Sequence, residues 1–125
     1  MDWKDLKKRN IDGTELVLAI VQNEDSGEVA MTAFQNKEAF NLTKDSGEMY
    51  FFSTSKNKLW KKGEESGNVM KVREARVDCD ADALLYICSI TGGACHMGYS
   101  SCFYRKLDDL KIIGQKVFDP KEVYK

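Results

Sequence analysis

Histidine, proline, net charge and long apolar runs are all scarce in this chain, and each scarcity excludes something. Its 125 residues include one histidine, His96, and one proline, Pro120, against 42% hydrophobic residues. That composition predicts a globular fold without a disordered tail. Lysine plus arginine number 19 and aspartate plus glutamate 20, a formal charge of −1 that argues against a nucleic acid partner. No run approaches the roughly 20 apolar residues of a membrane span. The opening "MDWKDLKKRN" also lacks the apolar core of a signal peptide. The chain therefore reads as cytoplasmic, with no membrane partner. In a reducing compartment the four cysteines are thiols or metal ligands, not a disulfide framework.

What is present fits one α+β domain over residues 1–125, undivided by any linker or repeat. "ELVLAIVQ" (15–22) and "EVAMTAFQ" (28–35) are apolar runs of strand length around the turn formers "NEDSG", and they predict a β-hairpin. In "NKEAFNLTKDSG", Asn36 is a helix N-cap, Ala39, Phe40 and Leu42 belong to an apolar face, and Gly47 is a C-terminal stop. "EMYFFSTS" (48–55) is strand-like, and "KNKLWKKGEESGN" reads as a basic surface loop around Trp60. "VMKVREARVD" (69–78) predicts a partly exposed strand. "ALLYICSI" (83–90), apolar on both faces, predicts a central one. "TGG" supplies a turn, and the rest is short strand, loop and a last strand or loose terminal segment. The expected fold is mostly antiparallel β-sheet with one or two short helices.

The soft metal ligands are Cys79, Cys88, Cys95, His96 and Cys102. No two cysteines lie two to four residues apart, so zinc-finger spacing is absent. An unbroken strand over 82–90 separates Cys79 from Cys88 by roughly 30 Å at about 3.3 Å per residue, which leaves Cys88 as a small buried hydrophobe. Between Cys95 and Cys102, Gly98 permits a fold-back that brings two sulfurs together. A hairpin at Gly92–Gly93 would put Cys95 near the far end of the strand that follows Cys79. One chain then struggles to gather all three thiolates, whereas two crossing chains do so easily. Three ligands leave a tetrahedral position open to water; with His96 as a fourth, the site would instead be closed and structural.

In "DCDADALLY", extended backbone would point Asp78, Asp80 and Asp82 to one side and Cys79 to the other. Like charges so close require a cation or full hydration. Three carboxylates at alternate positions suit Mg²⁺. Calcium of the EF-hand type is excluded, because Ala83 and Ser89 stand where glycine and glutamate are needed.

Taken together, "MTAFQNKEAF", "LWKKGEESGN", "DCDADALL" and "ACHMGYSSCFYR" resemble the phosphoribosyl-AMP cyclohydrolase family of histidine biosynthesis, in order and register over roughly residues 15–105. The resemblance implies hydrolysis of the N1–C6 bond of the purine ring of phosphoribosyl-AMP by an intertwined homodimer. It implies one Zn²⁺ per subunit, on Cys79, Cys95 and Cys102 drawn from both chains, and one Mg²⁺ per subunit on Asp78, Asp80 and Asp82. It also implies the single-function form, with no fused pyrophosphohydrolase domain. His96, beside a ligand cysteine, would move a proton during ring opening. Candidate substrate contacts are Trp60, Lys62, Ser66, Gly67 and Asn68, with Trp60 as either a purine platform or a core anchor. Two departures stand out: "STSKNKLW" replaces the arginines of the "SRSR" stretch in many relatives, and "CHMG" replaces "CHTG". Lysine meets phosphate as a point charge, without the paired hydrogen bonds of arginine.

Two rivals remain. A zinc-stabilised interaction module would need metal to fold but would open no ring. A nucleobase deaminase would pair its cysteines two apart and place a glutamate near its histidine, and "ACHMGYSSC" does neither.

Overall fold

The computed structural model describes residues 1–123. A short 3₁₀ turn over Trp3–Asp5 precedes β1 (Arg9–Ile11), β2 (Thr14–Asn23) and β3 (Val29–Gln35). Helix α1 (Lys37–Ser46), β4 (Tyr50–Ser53), β5 (Lys58–Lys61), β6 (Met70–Val77), β7 (Ala83–Ile90) and the single turn α2 (Pro120–Val123) follow. The strands form one seven-stranded sheet in the order β5-β4-β3-β2-β7-β6, with β1 paired on β2. Every pair is antiparallel except β2 and β7, which run parallel from Leu18 opposite Ala83 to Asn23 opposite Cys88. Mostly β with few short helices, the fold is of the expected class. None of the described helices is long and apolar enough to cross a membrane.

Helix α1 begins and ends where its sequence dictates. The Asn36 side chain accepts the Ala39 amide at 2.9 Å, and Gly47 closes the helix in the left-handed region at φ 75° with its amide on the Thr43 carbonyl. Just beyond, the sheet curls. The Met49 amide donates to Met70 O at 3.0 Å, the Val72 amide to Gly47 O at 2.7 Å, and the Lys62 amide to Met49 O at 3.0 Å. Both ends of the strand order thus meet at residues 47–49, around a core that includes Val17, Val21, Met49, Phe51, Met70 and Leu84. The polar groups inside are paired: Gln35 donates to Thr43 Oγ1 at 3.1 Å and to Tyr50 O at 2.9 Å, and accepts the Tyr86 hydroxyl at 2.8 Å. A polar core group left unpaired would cost far more than such a bond contributes.

Three expectations need correction. "KNKLWKKGEESGN" is not wholly loop: β5 lies within it, with Trp60 opposite Phe51. Its lysines suit the free edge of a sheet, where charge discourages pairing with another chain. Beyond Ile90 no hairpin strand forms among the described residues; residues 91–116 are irregular, tied by single bridges between Tyr99 and Lys116 and between Arg105 and Ile112. Gly92 and Gly93 make close packing possible there. A Cβ on Gly92 would lie 2.5 Å from Asn68 Oδ1, and one on Gly93 2.7 Å from Tyr99 O. The third concerns the tail, expected to form a last strand or loose segment: it carries α2, and Tyr124 and Lys125 lie outside the described residues.

Candidate metal and active site

Strands β6 and β7 form a hairpin whose turn is the acidic stretch. Asp78 Oδ1 accepts the amides of Asp82 at 2.9 Å and Ala83 at 3.3 Å, and the Asp78 amide donates to Ala83 O at 3.0 Å. Ala81 takes the left-handed conformation, φ 61°, and its carbonyl receives the Lys7 amide at 2.7 Å. The carboxylates therefore converge because the chain turns, not through strand alternation: one oxygen each from Asp78, Asp80 and Asp82 lies within 4.8 Å of the others. Arg9 pairs with Asp82 at 3.4 Å on the exposed rim. A hydrogen bond shared with Asp82, aided by the two amides, holds the Asp78 carboxyl below the usual range. That same bond, followed by one to Asp80, raises Asp82. Negative charge is thus crowded in a place open to water.

The second cluster is built by residues 91–104. The Cys95 amide donates to Tyr99 O at 3.1 Å and the Gly98 amide to Cys95 O at 2.9 Å, closing a tight turn. Gly98 is required there, since φ is +95° and a Cβ would lie 2.1 Å from Phe118 O. The far end is pinned to β3: the Cys102 amide donates to Ala30 O at 2.8 Å and Ser101 Oγ to Val29 O at 2.7 Å. The fold-back brings the Cys95 and Cys102 thiols near enough for each to feel the other's charge. The Met97 amide also points at Cys95 Sγ, at 3.4 Å. Although part of Cys102 reaches the surface, loss of hydration, and then the nearby Cys95 charge, push its thiol up to about 11, opposed by Lys62.

Lys62 belongs to this cluster. Its ammonium donates to the Ala94 carbonyl and sits 5.9 Å from the centre of the Trp60 ring. Burial lowers its pKa, and the Cys102 and Cys95 charges oppose that shift. Cys79, in the acidic turn, is exposed, and among the described residues it forms no three-ligand group with Cys95 and Cys102. Cys88 is fully buried, as expected of a core thiol, and burial pushes it up to about 12.

His96 projects from the Cys95 turn into a cleft of about 430 Å³, walled by Lys58, Trp60, Lys62 and Ser66. It also borders a neighbouring hollow of about 590 Å³ lined by Lys56, Glu65, Met97 and Lys121. Trp60 is both core anchor and cleft wall, tilted against Phe51 at 5.0 Å between ring centroids. Gly67 and Asn68 do not line the cleft; Asn68 is wedged between Gly63 and Gly92, where a Cβ on either glycine would collide with it. What sequence reasoning missed is the bond from Lys62 to Ala94, 32 residues away, for which no local pattern exists.

A curled sheet that presents a thiol pair beside a basic cleft bordered by His96, and a carboxylate trio on its β6–β7 turn, defines a small α+β protein with the donors of a metal-dependent enzyme. The family model described as phosphoribosyl-AMP cyclohydrolase matches residues 31–104. A protein of Methanosarcina barkeri named phosphoribosyl-AMP cyclohydrolase is 56% identical over 110 residues, covering 88% of this chain and 84% of that one. Its namesake in Methanosarcina mazei is 49% identical over 124 residues, 99% of each chain. One from Methanothermobacter thermautotrophicus is 47% identical over 121 residues, 94% of this chain and 88% of the relative. The chain belongs to the phosphoribosyl-AMP cyclohydrolase family, whose members are hydrolases.

Proposed function

We propose that this protein hydrolyses the N1–C6 bond of the purine ring of phosphoribosyl-AMP in cytoplasmic histidine biosynthesis. It does so as an intertwined homodimer with one Zn²⁺ and one Mg²⁺ per subunit. The observation that carries the reading is the convergence of Cys95, Cys102 and Lys62 next to a cleft bordered by His96, Trp60 and Lys58.

The donor sets fit the two ions. Cys95 and Cys102 offer soft sulfur, the donor zinc prefers, with an amide and an ammonium at hand. Cys79, exposed and apart from them in its own chain, is free to serve the neighbouring subunit as the third sulfur. Asp78, Asp80 and Asp82 offer hard oxygens on an open rim where an ion can keep waters or reach phosphate, as Mg²⁺ does. When bound, zinc makes water a competent nucleophile near neutral pH.

The remaining work falls to side chains of this chain. Trp60 offers an apolar wall against which a purine can lie. His96, exposed beside that wall, is placed to take a proton during attack at C6 and to return it to N1 as the ring opens. Lys56 and Lys58, whose ammonium groups have no partner among the described residues, offer charge to the two phosphates of the substrate.

Incubation of the protein with phosphoribosyl-AMP, followed by ultraviolet absorbance, tests the reading. Zinc-dependent ring opening supports it. Zinc-dependent folding without ring opening would make the protein a zinc-stabilised module instead.

A further inference from the structure

We infer that Lys62 is a positioning residue for the thiol pair: its ammonium fastens the carbonyl that precedes Cys95 and sets a positive charge beside the Cys95 and Cys102 sulfurs, readying them for zinc. This rests on the zinc reading above and gives Lys62 a different duty from contact with substrate phosphate.

The geometry supports this duty in three ways. First, the base of the side chain is fixed, because the Lys62 amide is bonded to Met49 O at 3.0 Å where the sheet curls shut. Second, Lys62 stands just past the end of β5, and its ammonium lies 5.9 Å from the centre of the Trp60 indole, which flanks it. Third, the ammonium ends on the Ala94 carbonyl, in the wall behind Cys95, and lies within electrostatic reach of both sulfurs. One of its three N–H donors is thereby committed to that carbonyl. Lys56 and Lys58 are exposed and have no such tie.

The chemistry explains why a cation belongs there. A divalent ion with three thiolates carries one net negative charge in a partly dehydrated place, and an adjacent ammonium offsets it. A hydrogen bond to the backbone next to a ligand also fixes the ligand before the ion arrives. Groups behind metal ligands typically change metal affinity about 10–100-fold when removed.

The test is zinc affinity of the full-length, substrate-free protein, measured by competition with a chromogenic chelator, for wild type, Lys62→Met and Lys62→Gln. Lys62→Met removes both charge and donor, whereas Lys62→Gln keeps a donor alone. We expect Lys62→Met to bind zinc about 10–100-fold more weakly, with Lys62→Gln in between, in variants whose metal-free melting temperatures match wild type. Wild-type zinc affinity together with a raised KM would make Lys62 a substrate contact and overturn the assignment. Should Lys62→Met not fold, Lys62→Gln decides alone: weakened zinc binding supports the assignment and unchanged binding overturns it. A wild-type protein that binds no zinc overturns the hydrolase reading, and this inference with it.

Discussion

The Asp78 carboxylate accepts the Asp82 amide at 2.9 Å, so one member of the acidic trio also holds the turn that gathers the other two. Asp80 makes no such backbone bond. Asp80→Asn should therefore abolish the rise in melting temperature that Mg²⁺ gives the wild type, while leaving the melt in chelator unchanged. Asp78→Ala should lower both. The pH dependence has two signs. Asp78, held low, contributes stability that is present above about its ordinary 3.8 and is lost as pH falls through its lower folded value. Asp82, held high, works in reverse, its cost appearing as pH rises from 3.8 through its higher folded value. Bound Mg²⁺ should remove that cost, so its stabilising effect should fade in acid. Calorimetry across pH, with and without Mg²⁺, measures both.

His96 is exposed and borders both hollows. Its replacement by alanine should leave zinc content at the wild-type level and reduce kcat by about 10²–10⁴-fold, the usual worth of a general acid or base. Metal analysis and steady-state kinetics on one preparation check this. A loss of zinc along with activity would make His96 a ligand.

The proposed function gives the substrate phosphates to Lys56 and Lys58. Lys58→Ala and Lys56→Ala should each raise KM by about 10–100-fold, as expected when a charged hydrogen bond worth about 1.5–3 kcal/mol is lost, with zinc affinity unchanged. The wild-type KM should rise with salt, because exposed charges are screened. Kinetics at two ionic strengths reads both effects.

Cys88 predicts a weakness in alkali. Its thiol is pushed from 9.0 up to about 12 by burial and then by the Glu24 charge, so the native state holds its proton more tightly than the unfolded chain. Stability should be intact below pH 9 and fall as pH rises from there toward 12. Urea unfolding at pH 8 and pH 10.5 should show a shallower loss in Cys88→Ala, whatever its starting stability.

The elements legible in the sequence are those set by short-range physics. Asn36 and Gly47 bracket α1, the "NEDSG" turn joins β2 to β3, and the two-sided apolar run of β7 places it inside the sheet. The fold-back between Cys95 and Cys102 is legible for a similar reason, because the turn needs Gly98. Other features depend on partners far along the chain. The parallel pairing of β2 with β7 and the reach of Lys62 to Ala94 have no local signature. The acidic stretch was misread because alternation assumes extended backbone, whereas Ala81 adopts a left-handed conformation that its residue type does not advertise.

The central claim is that the zinc site draws its sulfurs from two chains, and complementation tests it most directly. Cys79→Ser and Cys102→Ser proteins should each be inactive alone. Unfolded together and refolded at equal amounts, they should form mixed dimers with one intact site, regaining about a quarter of wild-type zinc and activity if pairing is random. No recovery in mixtures shown to contain mixed dimers, or full activity in either single variant, would contradict the claim.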